Sequence, residues 1–438
     1  MTDRARRLSQ VMLRVDGIEP GNHLEKHTKM AHSPFVMLRG ASSQFYDDLS
    51  TGLIKLPDSI EQWPLTTVMG DCHISNFGLF SEEGSHGDQV IFAPNDFDDA
   101  CIGHAGWDLL RFAVSLVLCA DHCKGVLTGT YPPAEPISKK QSVNDEQVAL
   151  AVRRFLQTYI KTCQKLADHE WNYDQDLEAF PESHVLYKRF AKALSRISGG
   201  DAFDEKSSLA KAVDLNQEPL RFRDLPERFQ RLPETEYQTL KQAFAPYVDD
   251  SIIDIVIRQG AGTGSVNMLR YYLLVGPKQY QSECDLPLYH IVEVKQQRSA
   301  APLHEFTSLS QINRLNPAHL TVICQRRMQR NPDLILDELY WRDSHWLVRS
   351  RHHARVGISP EHIACGKRAL NGGFIDYAAA CGEALALAHG RGDRRSRRFE
   401  QAVVAGLPGA MDDLLKSIYS YSHQVKNDWF WLAGLEKN

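Results

Sequence analysis

Residues 70–76 read GDCHISN and residues 95–109 read NDFDDACIGHAGWDL, so two short stretches hold Asp71, His73, Asn76, Asp96, Asp98, Asp99 and Asp108. Asp71 and Asn76 stand five positions apart among small and apolar residues. A carboxylate that takes up a hydroxyl proton, followed at this interval by an amide oxygen on magnesium, suits phosphoryl transfer. That reaction needs hard oxygen ligands beside a positioned nucleophile. Asp96 ends the second apolar segment of the region and supplies the next hard ligand, while Asp98 and Asp99 add charge for a second ion or a cationic substrate. His73 fits either a base or a residue that orders its own turn. Asp71 and Asn76 alone would read as turn caps; Asp96 and Asp108 at matching offsets move the reading to catalysis.

Those offsets are specific. Asp96, Ala100, Gly103, Asp108 and Leu109 form a DxxxAxxGxxxxDL pattern, and the stretch resembles the aminoglycoside phosphotransferases and related small-molecule kinases. The resemblance implies that Asp96 binds magnesium and that Asp108 buttresses the catalytic loop. Asp71 and Asn76 match the GDxxxxN element, with Met69 where a histidine is usual. It implies ATP and Mg2+ as cofactors, a glycine-rich hairpin over the phosphates, and a lysine on the third strand.

Neither part precedes Asp71. Downstream, RQGAGTGSVNMLRYYLLV sets Gly260, Gly262, Gly264 and Ser265 between two apolar segments, and LYHIVEVKQQ carries Lys295. A strand after the glycines argues against a dinucleotide-binding turn, which opens a helix. Glu305 is the first choice for the carboxylate partner of Lys295, and Glu293 the second. Arg39 and Arg349 are further phosphate candidates beside the bland option of surface ion pairs, and the run RGDRRSRR reads as a solvated helix start. The order is that of a circularly permuted kinase-like chain, acceptable because packing matters more than chain order. Nearly the full length also resembles a bacterial family named only as domain of unknown function 2252, through pieces such as KMAHSPFVMLRG, NDFDDA and LALAHGRGD. That resemblance implies fold and site and no known substrate.

Composition bounds the alternatives. The 438 residues carry a net charge of -5, which argues against a general nucleic-acid binder. Nine cysteines without paired CxxC spacing suit reduced thiols, so the expected location is the cytoplasm. Cys119 and Cys123 around His122 lack a second ligand pair, which weakens a zinc reading. GNHLE at 21–25 precedes the GD element instead of following it, which weakens a metallophosphatase reading. No apolar run is long enough to cross a bilayer.

The elements that must position these residues follow from periodicity. Residues 1–65 read as helical, 66–95 as a hairpin with polar ends, and DLLRFAVSLVLCADHC as a buried helix. Residues 250–352 read as strands, and FIDYAAACGEALALAHG as a helix. The expected fold class is α+β, a kinase-like two-lobe arrangement. A helical lobe would be formed from 1–249 and 353–438, around a β-rich nucleotide-binding lobe at 250–352. The expected reaction moves the ATP γ-phosphoryl group to a hydroxyl of an unidentified acceptor. The alternatives are AMP transfer on the same scaffold and a nucleotide-binding pseudokinase acting through a partner.

Overall fold

A computed structural model describes residues 2–132, 140–260, 268–279, 283–393 and 395–436. Helix α1 (Asp3–Asp16) leads to α2 (Pro34–Gly40) and α3 (Ser42–Ser50). Helix α2 starts where Ser33 Oγ accepts from the Val36 N–H with Pro34 at the first position, so one orphan donor is satisfied and φ is preset. The hairpin of β1 (Phe77–Ser81) and β2 (Val90–Pro94) pairs Phe77 with Pro94 and Ser81 with Val90. Helix α4 (Ala105–Thr128) and helix α5 (Asp145–Ala167) follow, the latter opened by an Asn144–Gln147 capping box.

Further along the chain come α6 (Glu234–Phe244), β3 (Ser251–Arg258), β4 (Arg270–Gly276), β5 (His290–Gln296) and α7 (Pro317–Met328). Then β6 (Leu336–Trp341), β7 (Ser344–Arg351), α8 (Phe374–Arg391) and α9 (Arg398–Glu436) complete the elements that build the site. Helices and several sheets therefore mix in one chain.

The largest apolar cluster joins Phe35–Val185 segments to residues of α8 and α9, so the helical part is built from both sides of the strand-rich region. Helix α4 is apolar almost all round, which suits burial on every side. Phe112 of α4 stacks on Phe155 of α5 at 4.3 Å between centroids. A Cβ on Gly382 of α8 would lie 2.4 Å from the Phe155 carbonyl, so only glycine permits this helix approach.

The main sheet has the order β6, β7, β5, β4, β3, then the short strand Phe229–Gln230, every neighbouring pair antiparallel. The alternation of strand side chains divides it into two faces. Tyr271, Leu273, Val292, Val294, Trp346 and Val348 point one way and pack on Leu240 and Phe244 of α6. Phe203, Leu209, Val213, Leu220 and Phe222 pack with Val256, Tyr272 and Leu274. The sheet unit thus begins near residue 203, ahead of the boundary expected at 250, because the mixed segment before β3 contributes apolar anchors to it. Helix α7 bridges the parts: Leu320, Cys324 and Met328 belong to the large cluster, and Val322 packs with Leu336 and Leu347 of the sheet.

Candidate functional site

The loop after the short strand Thr66–Val68 is pinned from several sides. Asp108, fully buried in the first turn of α4, accepts from the Met69 N–H at 2.6 Å and the Gly70 N–H at 3.2 Å. Its second partner group is His389 of α8, at 3.0 Å, which in turn meets Tyr159. Ser115, on the same face of α4, accepts from the Ile74 N–H, while the Tyr46 and Tyr377 hydroxyls donate to the Gly70 and Ile74 carbonyls. Gly70 has φ +72°, and a Cβ there would fall 1.9 Å from the Asp99 carbonyl oxygen; no other residue fits. Side chains from three other segments, α3, α4 and α8, therefore hold the loop around Met69.

Asp71 takes the Arg111 Nε–H at 3.0 Å, and Arg111 also donates to the Leu38 carbonyl at 2.6 Å. Burial pushes the Asp71 carboxyl up, but Arg111 and His73 outweigh it and hold the group well below the usual carboxylate range. His73 stands 3.6 Å from Asp71, and burial lowers its pKa with Asp71 opposing. The Asn76 side-chain N–H donates to the Asp71 carbonyl at 2.9 Å, leaving its own carbonyl oxygen for another ligand. The Asn95 N–H reaches the Asn76 carbonyl at 3.0 Å, which sets Asp96 beside Asn76 at the open end of the β1–β2 hairpin.

The three aspartates after the hairpin have different fates. Asp98 is ion-paired to Lys295 and accepts from the Gln297 side chain at 3.1 Å. Asp99 accepts from Arg298 at 3.1 Å and the Ala301 N–H at 2.7 Å. Asp96 has no cation partner among the described residues and accepts only the long Asp98 N–H contact at 3.4 Å. Burial and the neighbouring Asp98 push its carboxyl up to about 6.

Above this acidic floor lies the polar face of the sheet. Glu293 on β5 is opposite Tyr272 of β4 and Arg349 of β7, and Lys295 is opposite Arg270. Register therefore gathers the charged residues of three strands on one face. Arg349 meets Glu293 at 2.8 Å and Arg270 meets it at 3.1 Å. Arg351 continues the row, Arg258 closes it from β3, and Arg355 joins it from the strand Arg355–Gly357, which pairs with β1 of the hairpin. Burial and the two neighbouring arginines lower Arg355 to about 10. Floor and sheet enclose a cavity of about 460 Å³, which Arg39 of α2 also lines.

The structure thus brings Asp71, His73, Asn76, Asp96, Asp98 and Gly260 to one cavity. Asp108 and Lys295 act on it from behind. Gly262, Gly264 and Ser265 lie outside the described residues. Glu305, expected beside Lys295, is elsewhere: it takes an Arg14 hydrogen bond at 2.6 Å. Lys295 points instead across the cavity floor to Asp98, and α7, the next full helix, carries no carboxylate. Glu293 is also not its direct partner, since arginines occupy it. Asp98, expected as a metal ligand, already has both oxygens engaged.

Asn76 and Asp96 do fit magnesium, which is commonly held by one or two carboxylates plus substrate oxygens and water. An unpaired, part-buried carboxylate beside a free amide oxygen is the donor set such an ion satisfies. Among the described residues no group of three or more His, Cys, Asp or Glu is placed to hold an ion. Arg111, Arg258, Arg270, Arg351 and Arg355 went unread in sequence. Strand alternation in NMLRYYLLV and HWLVRSRHHAR carries the signal of Arg270 and Arg351, but only pairing register shows that they converge, while Arg111 comes from α4 and Arg258 from the end of β3.

The chain belongs to a bacterial family, described as "Uncharacterized protein conserved in bacteria (DUF2252)", whose model matches residues 20–126 and 135–433. No curated protein and no solved structure matches the chain. No helix among the described residues is long and apolar enough to cross a membrane.

Proposed function

We propose that this is a magnesium-dependent, ATP-using phosphotransferase built on a kinase-like fold with permuted order. The observation that carries the reading is the juxtaposition of Asp71, Asn76 and Asp96, which has no ion-pair partner among the described residues, on one wall of a cavity. Its opposite wall is a row of sheet arginines. The order of parts supports it too: a glycine segment between β3 and β4, a lysine on β5 and a helix next is the layout of a kinase nucleotide lobe.

Asn76 and Asp96 would hold magnesium, which when bound neutralises phosphate charge. The sheet arginines hold nucleotide phosphates, and Asp71 receives the acceptor hydroxyl. The hydroxyl oxygen bonds to the γ-phosphorus as the bond to the ADP oxygen breaks, and the hydroxyl proton passes out through Asp71. Because Arg111 keeps Asp71 strongly acidic, its main work is orientation, with proton loss late, as suits a loose transition state. Lys295 fixes the floor to the sheet through Asp98.

Purified protein incubated with Mg2+ and ATP labelled at the α or γ position tests this. Transfer of the γ label, lost in Asp71→Ala and Asp96→Ala, is the expected result. Transfer of the α label would make it a nucleotidyl transferase. Nucleotide binding without turnover on any acceptor would make it a pseudokinase, and absence of magnesium-dependent nucleotide binding would sink the reading.

A further inference from the structure

The charge lining the cavity does not balance. Seven arginines and five carboxylates line it, and two more cations, Arg111 and Lys295, stand behind and pair with Asp71 and Asp98. His73, whose pKa burial lowers, is counted as neutral, and a proton on it would only add to the excess. Residues 261–267, AGTGSVN, add no charge. The wall thus carries four positive charges in excess, within a part-buried space where Coulomb interactions are far stronger than in water. A magnesium–ATP complex, with two net negative charges, offsets half of them. The remainder calls for a second anion.

Arg39 marks where that anion sits. It comes from helix α2, whereas the other unneutralised guanidiniums, Arg258, Arg351 and Arg355, come from strands. The Leu38 carbonyl, one residue away, accepts from the same Arg111 that holds Asp71, so Arg39 is fixed near the residue read as receiving the acceptor. Its guanidinium backs on the Phe35 ring at 5.7 Å. It forms no ion pair among the described residues, and its Nε has no hydrogen-bond partner. Burial lowers its pKa, with Asp71 and Asp96 only partly opposing this. A charged donor left without a partner beside a cavity is costly unless a ligand satisfies it. A cationic acceptor has no matching site, because Asp98 and Asp99 are already taken by Lys295 and Arg298.

We propose that the acceptor is itself an anion, a hydroxyl compound bearing a phosphate or carboxylate group, and that Arg39 holds that group beside Asp71. This rests on the phosphotransferase reading above.

The test titrates full-length protein, saturated with Mg2+ and a non-hydrolysable ATP analogue, with inorganic phosphate and separately with acetate, by calorimetry. One further equivalent of phosphate or acetate is expected to bind, and which binds more tightly names the anionic group. Arg39→Ala should weaken it about tenfold or more, and Arg39→Lys should recover part of the loss. If the nucleotide analogue binds and no second anion does, this inference falls and the phosphotransferase reading stands. If the analogue itself fails to bind, both fall. If Arg39→Ala weakens the nucleotide and leaves the second anion untouched, Arg39 belongs to the nucleotide and the inference is overturned. An unchanged second anion in both variants overturns it as well.

Discussion

Asp71, Asp98 and Asp99 each have a cation of their own, and Asp96 has none among the described residues. Its carboxyl, pushed up to about 6 by burial and Asp98, keeps a proton in the folded chain over a range where the unfolded chain has lost it. Stability therefore drains as pH rises from about 4 to about 6, and above that the ionised group costs on the order of 3 kcal/mol. Asp96→Asn should raise the melting temperature of magnesium-free protein at pH 8, change it little at pH 4, and abolish transfer. Calorimetric melts at the two pH values check this; equal effects at both would mean that Asp96 is already compensated. The aspartates were legible in the sequence because a few adjacent positions carry the whole signal. The partner of Lys295 was not, because sequence distance says nothing about which carboxylate a strand residue faces across a cleft.

At the scale of elements, the candidate catalytic loop owes its shape to α4 and α8. Asp108 satisfies two loop N–H groups and His389 at once. Asp108→Ala strands these buried donors, at about 1–3 kcal/mol each, so we expect a loss of about 3 kcal/mol or more in urea unfolding with a fall in kcat. Asp108→Asn, which keeps one acceptor oxygen, should retain part of both. The supporting role of Asp108 was readable from its offset, and the helices were readable from their apolar period. The arginine row was not: it exists only through the register that sets Arg349 across from Glu293 and Lys295 across from Arg270.

The junction after β7 makes a second element-scale case. His353 lies against Phe203, 5.1 Å between centroids, and its carbonyl accepts from the Ser208 N–H at 2.8 Å. Burial, with help from His290, lowers its pKa from 6.5 to about 4. The folded chain thus refuses a proton that the unfolded chain accepts, and stability is lost as pH falls from about 6.5 to about 4. His353→Gln should flatten that stretch of the stability profile by on the order of 3 kcal/mol. Denaturant melts at pH 7 and pH 4.5 measure it, and parallel curves for the two proteins would refute it.

For the whole molecule, the net charge of -5 hides a cavity of opposite sign, so bulk charge predicted nothing about the ligand. The helical part built from two distant stretches was legible from the order of motifs. The earlier start of the sheet unit was not, since residues 203–230 show little period of their own and are apolar only where the sheet requires it. That layout also governs when the site comes into being. Tyr377 grips the loop at Ile74 and His389 grips Asp108 across separations of 303 and 281 residues. A ribosome that has released β7 has already made every carboxylate of the cavity, yet the loop still lacks the helix that clamps it. The loop is therefore not clamped until α8 emerges, and a product truncated before Tyr377 would carry the residues of the site without the contacts that shape it.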